Sequence, residues 1–92
     1  MENEKLFIAN INYAVTPLML KKYFETIGPV RDYKILIDPN TGHSKGCGFI
    51  IMDNIANAKK ALMAFDKKDF EGRTLRIEYA RPRGNRNNVW SD

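Results

Sequence analysis

Cysteine is nearly missing from this chain, and the shortage already narrows what it can be. Cys47 is the one thiol in 92 residues. A single thiol closes no internal disulfide, so a secreted, disulfide-stapled scaffold is excluded and an intracellular setting, nuclear or cytoplasmic, is expected. Histidine is equally scarce. His43 stands alone in the turn "TGHS", with no cysteine or carboxylate cluster around it, so no metal is expected there. Long apolar runs are missing as well. The opening "MENEKLFIAN" is acidic where a signal peptide is basic, and its apolar run, "LFIA", is four residues long. Nothing elsewhere approaches the roughly 20 apolar residues of a membrane span, so no membrane partner is expected. Internal repeats and long linkers are likewise absent.

What is present suits one small domain. The hydrophobic fraction is 43%, enough for a single core at this length. Fifteen Lys and Arg against eleven Asp and Glu leave a formal charge of +4, which favours an anionic partner without requiring one.

The apolar pattern divides the chain into short elements. Lys5 to Ala9 reads as a strand that ends in the loop-like "NINY". Thr16 and Pro17 form a helix start, since the threonine hydroxyl caps orphan amides and proline's fixed φ suits the first helical position. Leu20, Tyr23, Phe24 and Ile27 follow at helical spacing, with Lys21 and Lys22 on the wet side, until Gly28-Pro29 ends the run. Val30 to Ile37 reads as a second strand, broken by the turn "DPNTGHS". Ser44 to Met52, "SKGCGFIIM", supplies a third. Asn54 caps a second helix whose inner face carries Ala58, Ala61, Leu62 and Phe65. "DKKDFEGR" is a polar connection, and Thr74 to Tyr79 is the last strand, with Leu75 and Ile77 on one side and Arg76 and Glu78 on the other. Residues 1–80 are expected to form the domain, and the basic tail at 81–92 to lack regular structure.

The order βαββαβ implies an α+β, ferredoxin-like sandwich: a four-stranded antiparallel sheet, order 4-1-3-2, with both helices on one face. A bare sheet face ought to be polar. Here alternation that buries Leu6, Ile8, Ile50 and Met52 turns Phe7, Cys47, Phe49 and Ile51 outward. The same parity sends Gly46 and Gly48 to the helix side, where a missing side chain would let a helix come close.

These residues resemble a known family, the RNA recognition motif. Its eight-residue signature, Lys/Arg-Gly-aromatic-Gly/Ala-Phe-aliphatic-x-aromatic, is met by "KGCGFIIM" at Lys45, Gly46, Gly48, Phe49 and Ile50 and missed at Cys47 and Met52. "LFIANI" is similar to the family's first-strand motif, aliphatic-aromatic-aliphatic-x-Asn-Leu, with Asn10 in its asparagine place. "GRTLRIEYA" resembles the usual Gly-Arg-x-Leu-x-Val ending, so the likeness runs from Leu6 to Ala80.

The resemblance implies a binding protein for single-stranded RNA, with no cofactor and no catalysis. Phe7 is implied as a ring on which an unpaired base stacks, and Phe49 as one that inserts between sugars or bases. Lys45 meets a phosphate. Glu78, Tyr79 and Arg81 lie where related proteins read base edges, Arg76 shares the strand of the first two, Arg83 is a further RNA-binding candidate in the basic tail, and Lys34 and Leu36 line the second strand's outer surface. Cys47 departs from the family, which places a third aromatic there; Cys47 and Ile51 still offer apolar contact.

Blander and rival readings stand beside this one. Trp90 could fold over Phe7, and Lys45 and the tail arginines could be simply solvated. A protein partner, a peptide or a second copy of the chain, is the main alternative, reached through the apolar sheet face or through "KDF", Lys68 to Phe70, which approaches the Arg-x-Phe of peptide-binding members but lacks the arginine. Acylphosphatases and copper chaperones share the layout. However, no glycine-rich anion loop follows the first strand, and no Cys-x-x-Cys is present.

Overall fold

Leu6 and Ile8 leave the first strand in one direction and Phe7 in the other, and this alternation sets the layout. The computed structural model describes residues 2–80. Its elements are β1 (Lys5–Ala9), α1 (Pro17–Glu25), β2 (Val30–Ile37), β3 (Ser44–Met52), α2 (Ile55–Phe65), β4 (Asp69–Phe70), β5 (Arg73–Thr74) and β6 (Arg76–Tyr79). β2, β3, β1 and β6 pair in that order as an antiparallel sheet, which is the expected ferredoxin-like order with β6 as the last strand.

Both helices start where their caps predict. The Thr16 hydroxyl accepts from the Met19 amide at 3.2 Å, and the Asn54 side chain accepts from the Asn57 amide at 2.8 Å. Leu20 and Phe24 of α1 and Ala58 and Ala61 of α2 are fully buried against Leu6, Ile8, Ile50 and Met52 of the sheet. Small alanines bring α2 close to the strands, and burial of each larger side chain contributes about 1.5–3 kcal/mol. The outer edge of this layer is aromatic. Tyr23 stacks between Phe65, at 4.1 Å, and Phe70, at 4.2 Å, and partial burial pushes its phenol pKa upward.

Two expectations need correction. The polar connection "DKKDFEGR" contains a hairpin: β4 and β5 pair through Asp69↔Thr74 and Phe70↔Arg73. Glu71 and Gly72 turn it with positive φ at both positions, 50° and 84°, the geometry favoured in two-residue hairpin loops. The glycines of β3 also have a different purpose from the one expected. A Cβ on Gly48 would overlap the Lys34 carbonyl oxygen and stand 3.0 Å from the Ile35 Cα, so Gly48 admits the neighbouring strand, not a helix. Gly46 has φ +78°, and a Cβ there would come within 2.8 Å of the Tyr13 ring. It lies where the β2–β3 register shifts, between Ile35↔Gly48 and Ile37↔Ser44, so a left-handed residue bends β3 at a bulge.

Candidate nucleic-acid interface

The face away from α1 and α2 is organised in rows across the strands, because directly paired residues share a side. One row runs Lys34, Phe49, Phe7, Glu78 from β2 to β6. The Phe7 and Phe49 rings lie at its centre, 5.4 Å apart and tilted by 59°. Toward one end of the strands Asp32, Ile51 and Lys5 form the next row, and the Lys5 ammonium stands 4.3 Å from the Phe49 ring centre, a cation–π contact. Toward the other end the row is Cys47, Ala9 and Arg76.

That last row is made of small side chains at its centre, and a hollow of about 690 Å³ opens beside it. Its walls include Phe7, Tyr13, Lys45, Arg73 and Arg76. A second hollow, on the far side of Tyr13, is bordered by His43, Lys45 and Cys47. Lys45 and Arg76 are exposed, so their charges reach anything lying along either depression. Aromatic rings flanked by cations can stack bases and neutralise phosphates together.

Of the residues singled out from sequence, Phe7, Lys34, Lys45, Cys47, Phe49, Ile51, Arg76 and Glu78 come together on this side. Leu36, half-buried, shares their side by alternation with the buried Ile35. Tyr79 is a correction. It pairs with Leu6 and packs on the core, so its side chain is on the helix side and its main chain alone remains near the open face. Asn10 is also differently employed. Its amide nitrogen donates to the Thr74 carbonyl at 2.7 Å, and its amide oxygen accepts from the Arg73 guanidinium at 2.6 and 3.2 Å. It therefore holds Arg73 at the hollow's wall. Asn10 has φ 63°, a conformation asparagine tolerates better than most residues. Asn12 completes the clamp by donating to the Glu71 carbonyl at 2.9 Å. Arg81 and Arg83 lie outside the described residues, as does Trp90.

Sequence reasoning missed Lys5, Tyr13 and Arg73. Lys5 could have been found, since it shares the parity of Phe7. Tyr13 and Arg73 could not, because Tyr13 reaches the interface from a loop and Arg73 from the two-residue strand β5, and the Asn10 and Asn12 side chains tie these two segments together.

The family model for the RNA recognition motif matches residues 6–76. The chain belongs to the RNA recognition motif family. Among curated proteins it is similar to the RNA-binding protein CP33, chloroplastic, of Arabidopsis thaliana, with 35% identity over 96% of this chain and 27% of that protein. It is similar also to the mitochondrial glycine-rich RNA-binding protein 5 of the same plant, with 36% identity over 91% of this chain and 29% of that one. The chain thus spans less than a third of the length of these relatives. Among solved structures, the RNA-binding protein PG1 superposes with TM-score 0.81 at 30% identity, over 86% of this chain and 98% of that one. A Sxl-lethal protein–RNA complex superposes with TM-score 0.83 at 26% identity, over 91% and 50%.

Proposed function

We propose that this chain is a binding module for single-stranded RNA, which it holds on the open face of its sheet. The observation that carries the reading is the pair of rings, Phe7 and Phe49, set 5.4 Å apart at the centre of a face that, among the described residues, neither α1 nor α2 covers. Rings in that place offer π-faces to unpaired bases, which a duplex would keep stacked and out of reach. Lys34, paired with Phe49, and Lys45, further along β3 beside the hollows, are the cations that would meet phosphates. The names of the relatives, RNA-binding proteins, and a structural neighbour in complex with RNA support the same reading. It makes the chain a binder and not a catalyst. Its setting is a compartment that contains RNA; the relatives named belong to chloroplasts and mitochondria and lend no support to a nuclear or cytoplasmic one. Among the described residues no helix is long and apolar enough to cross a membrane.

The peptide-binding alternative gains no support from the Phe70 loop. The Phe70 ring is stacked on Tyr23 at 4.2 Å and has that face occupied.

The test is a titration of labelled single-stranded RNA of mixed sequence, followed by anisotropy and by amide NMR shifts. Saturable binding with shifts centred on Phe7, Phe49 and Lys45 is expected. Binding that is absent, or shifts confined to α1, α2 and the Phe70 loop, would overturn the reading.

A further inference from the structure

The family pattern leaves this chain one ring short at Cys47, and the structure places another ring beside the gap. Tyr13 sits in the loop after β1 and is 69% exposed. It borders both hollows: with Phe7, Arg73 and Arg76 on one side, and with His43 and Cys47 on the other. Its place is built, not incidental. Gly46 brings bare backbone under the ring, and any Cβ there would stand 2.8 Å from it. The loop is anchored just before the ring, by the Ile11 amide on the Gly46 carbonyl at 2.8 Å and by Asn12 on Glu71 at 2.9 Å, and it closes after the ring through the Val15 amide on the Asn12 carbonyl at 3.0 Å.

We propose that Tyr13 is a base-stacking residue, seating an unpaired base above the small side chains of Ala9 and Cys47, next along the strand direction from the bases at Phe7 and Phe49. Ala9 and Arg73 border the first hollow and Cys47 the second, while Tyr13 and Lys45 border both, so the ring supplies a flat wall beside the paired Ala9 and Cys47 with the cations at reach of the adjoining phosphates. A ring on the sheet at position 47 would fill this space from below; here it is approached from the side. The proposal rests on the RNA-binding reading and adds to it one nucleotide position and the residue that forms it.

The test uses the full chain and a fluorescein-labelled pool of mixed-sequence single-stranded RNA. Tyr13→Ala and Tyr13→Leu should each weaken binding by about tenfold, the range of one base stack, while Tyr13→Phe stays within about twofold of the parent. Tyr13→Leu separates the roles, because leucine still roofs Gly46 but offers no π-face. Its amide spectrum should match the parent's away from the loop. If Tyr13→Leu binds as well as the parent while Phe7→Ala is weakened, Tyr13 is only a roof and the proposal fails while RNA binding stands. A loss in Tyr13→Phe equal to that in Tyr13→Ala would assign the contact to the hydroxyl and overturn stacking. If the parent itself binds no RNA, the underlying reading fails first.

Discussion

At the scale of single residues, neighbours in sequence have opposite duties. Leu6 is fully buried and Phe7 is not, and the same holds for Ile50 and Phe49. Phe7→Ala and Phe49→Ala should therefore weaken RNA binding by about tenfold to a hundredfold, the loss of one stack each, and leave the domain folded by circular dichroism. Leu6→Ala should do the reverse, removing about 2–5 kcal/mol of stability through a core cavity, seen as a lower denaturant midpoint. Cys47 is half-buried opposite Ala9 and borders the second hollow, so the ring of Cys47→Phe would enter that space and should tighten binding by up to about 1–3 kcal/mol where it reaches a base. These assignments were legible in the sequence, because a strand's period of two leaves no freedom once one residue is placed. The parity rule also predicts the inward Tyr79; placing it at the interface followed the family pattern and not the pleat.

At the scale of elements, what was legible depended on length. β1, β3 and both helices have enough residues to display a period, and their caps are local chemistry. The β4–β5 hairpin has two residues in each strand, Asp69–Phe70 and Arg73–Thr74, too few for alternation, and its charged residues look like any loop. Close approach of β2 to β3 at Gly48 was equally hidden, since two glycines near each other in sequence announce a need for space without saying what fills it. The two kinds of glycine can be told apart by experiment. Gly72→Ala meets nothing within 4 Å and carries only the left-handed backbone penalty, so it should lose about 1–2 kcal/mol. Gly48→Ala would drive a methyl into the Lys34 carbonyl, and separating β2 from β3 breaks the sheet. Urea denaturation should show Gly48→Ala far less stable than Gly72→Ala; equal midpoints would show that β2 can give way.

At the scale of the whole molecule, charge decides how binding responds to solution conditions. The formal charge of +4 is modest, and much of it is placed where the strand would pass. Lys34 borders the aromatic row, Lys45 the two hollows, and Arg73 and Arg76 the wall near Glu78. Each phosphate neutralised on a single strand lowers the logarithm of affinity by about 0.7 per logarithmic unit of salt. About two to four such contacts are expected here, giving a slope of about −1.4 to −2.8. Arg81, Arg83 and Arg86 follow directly on Ala80, whose amide donates to the Lys5 carbonyl at 2.9 Å. Ala80, the last described residue, therefore lies beside β1, next to the row of Lys5. A chain ending at Ala80 keeps every core residue among those described, so it should fold; its salt slope should be shallower than the parent's, with the Phe7→Ala defect unchanged in ratio. An identical slope in the two chains would show that the tail arginines meet no phosphate, and a flat response in both would leave stacking as the sole source of affinity and remove the cations from the site.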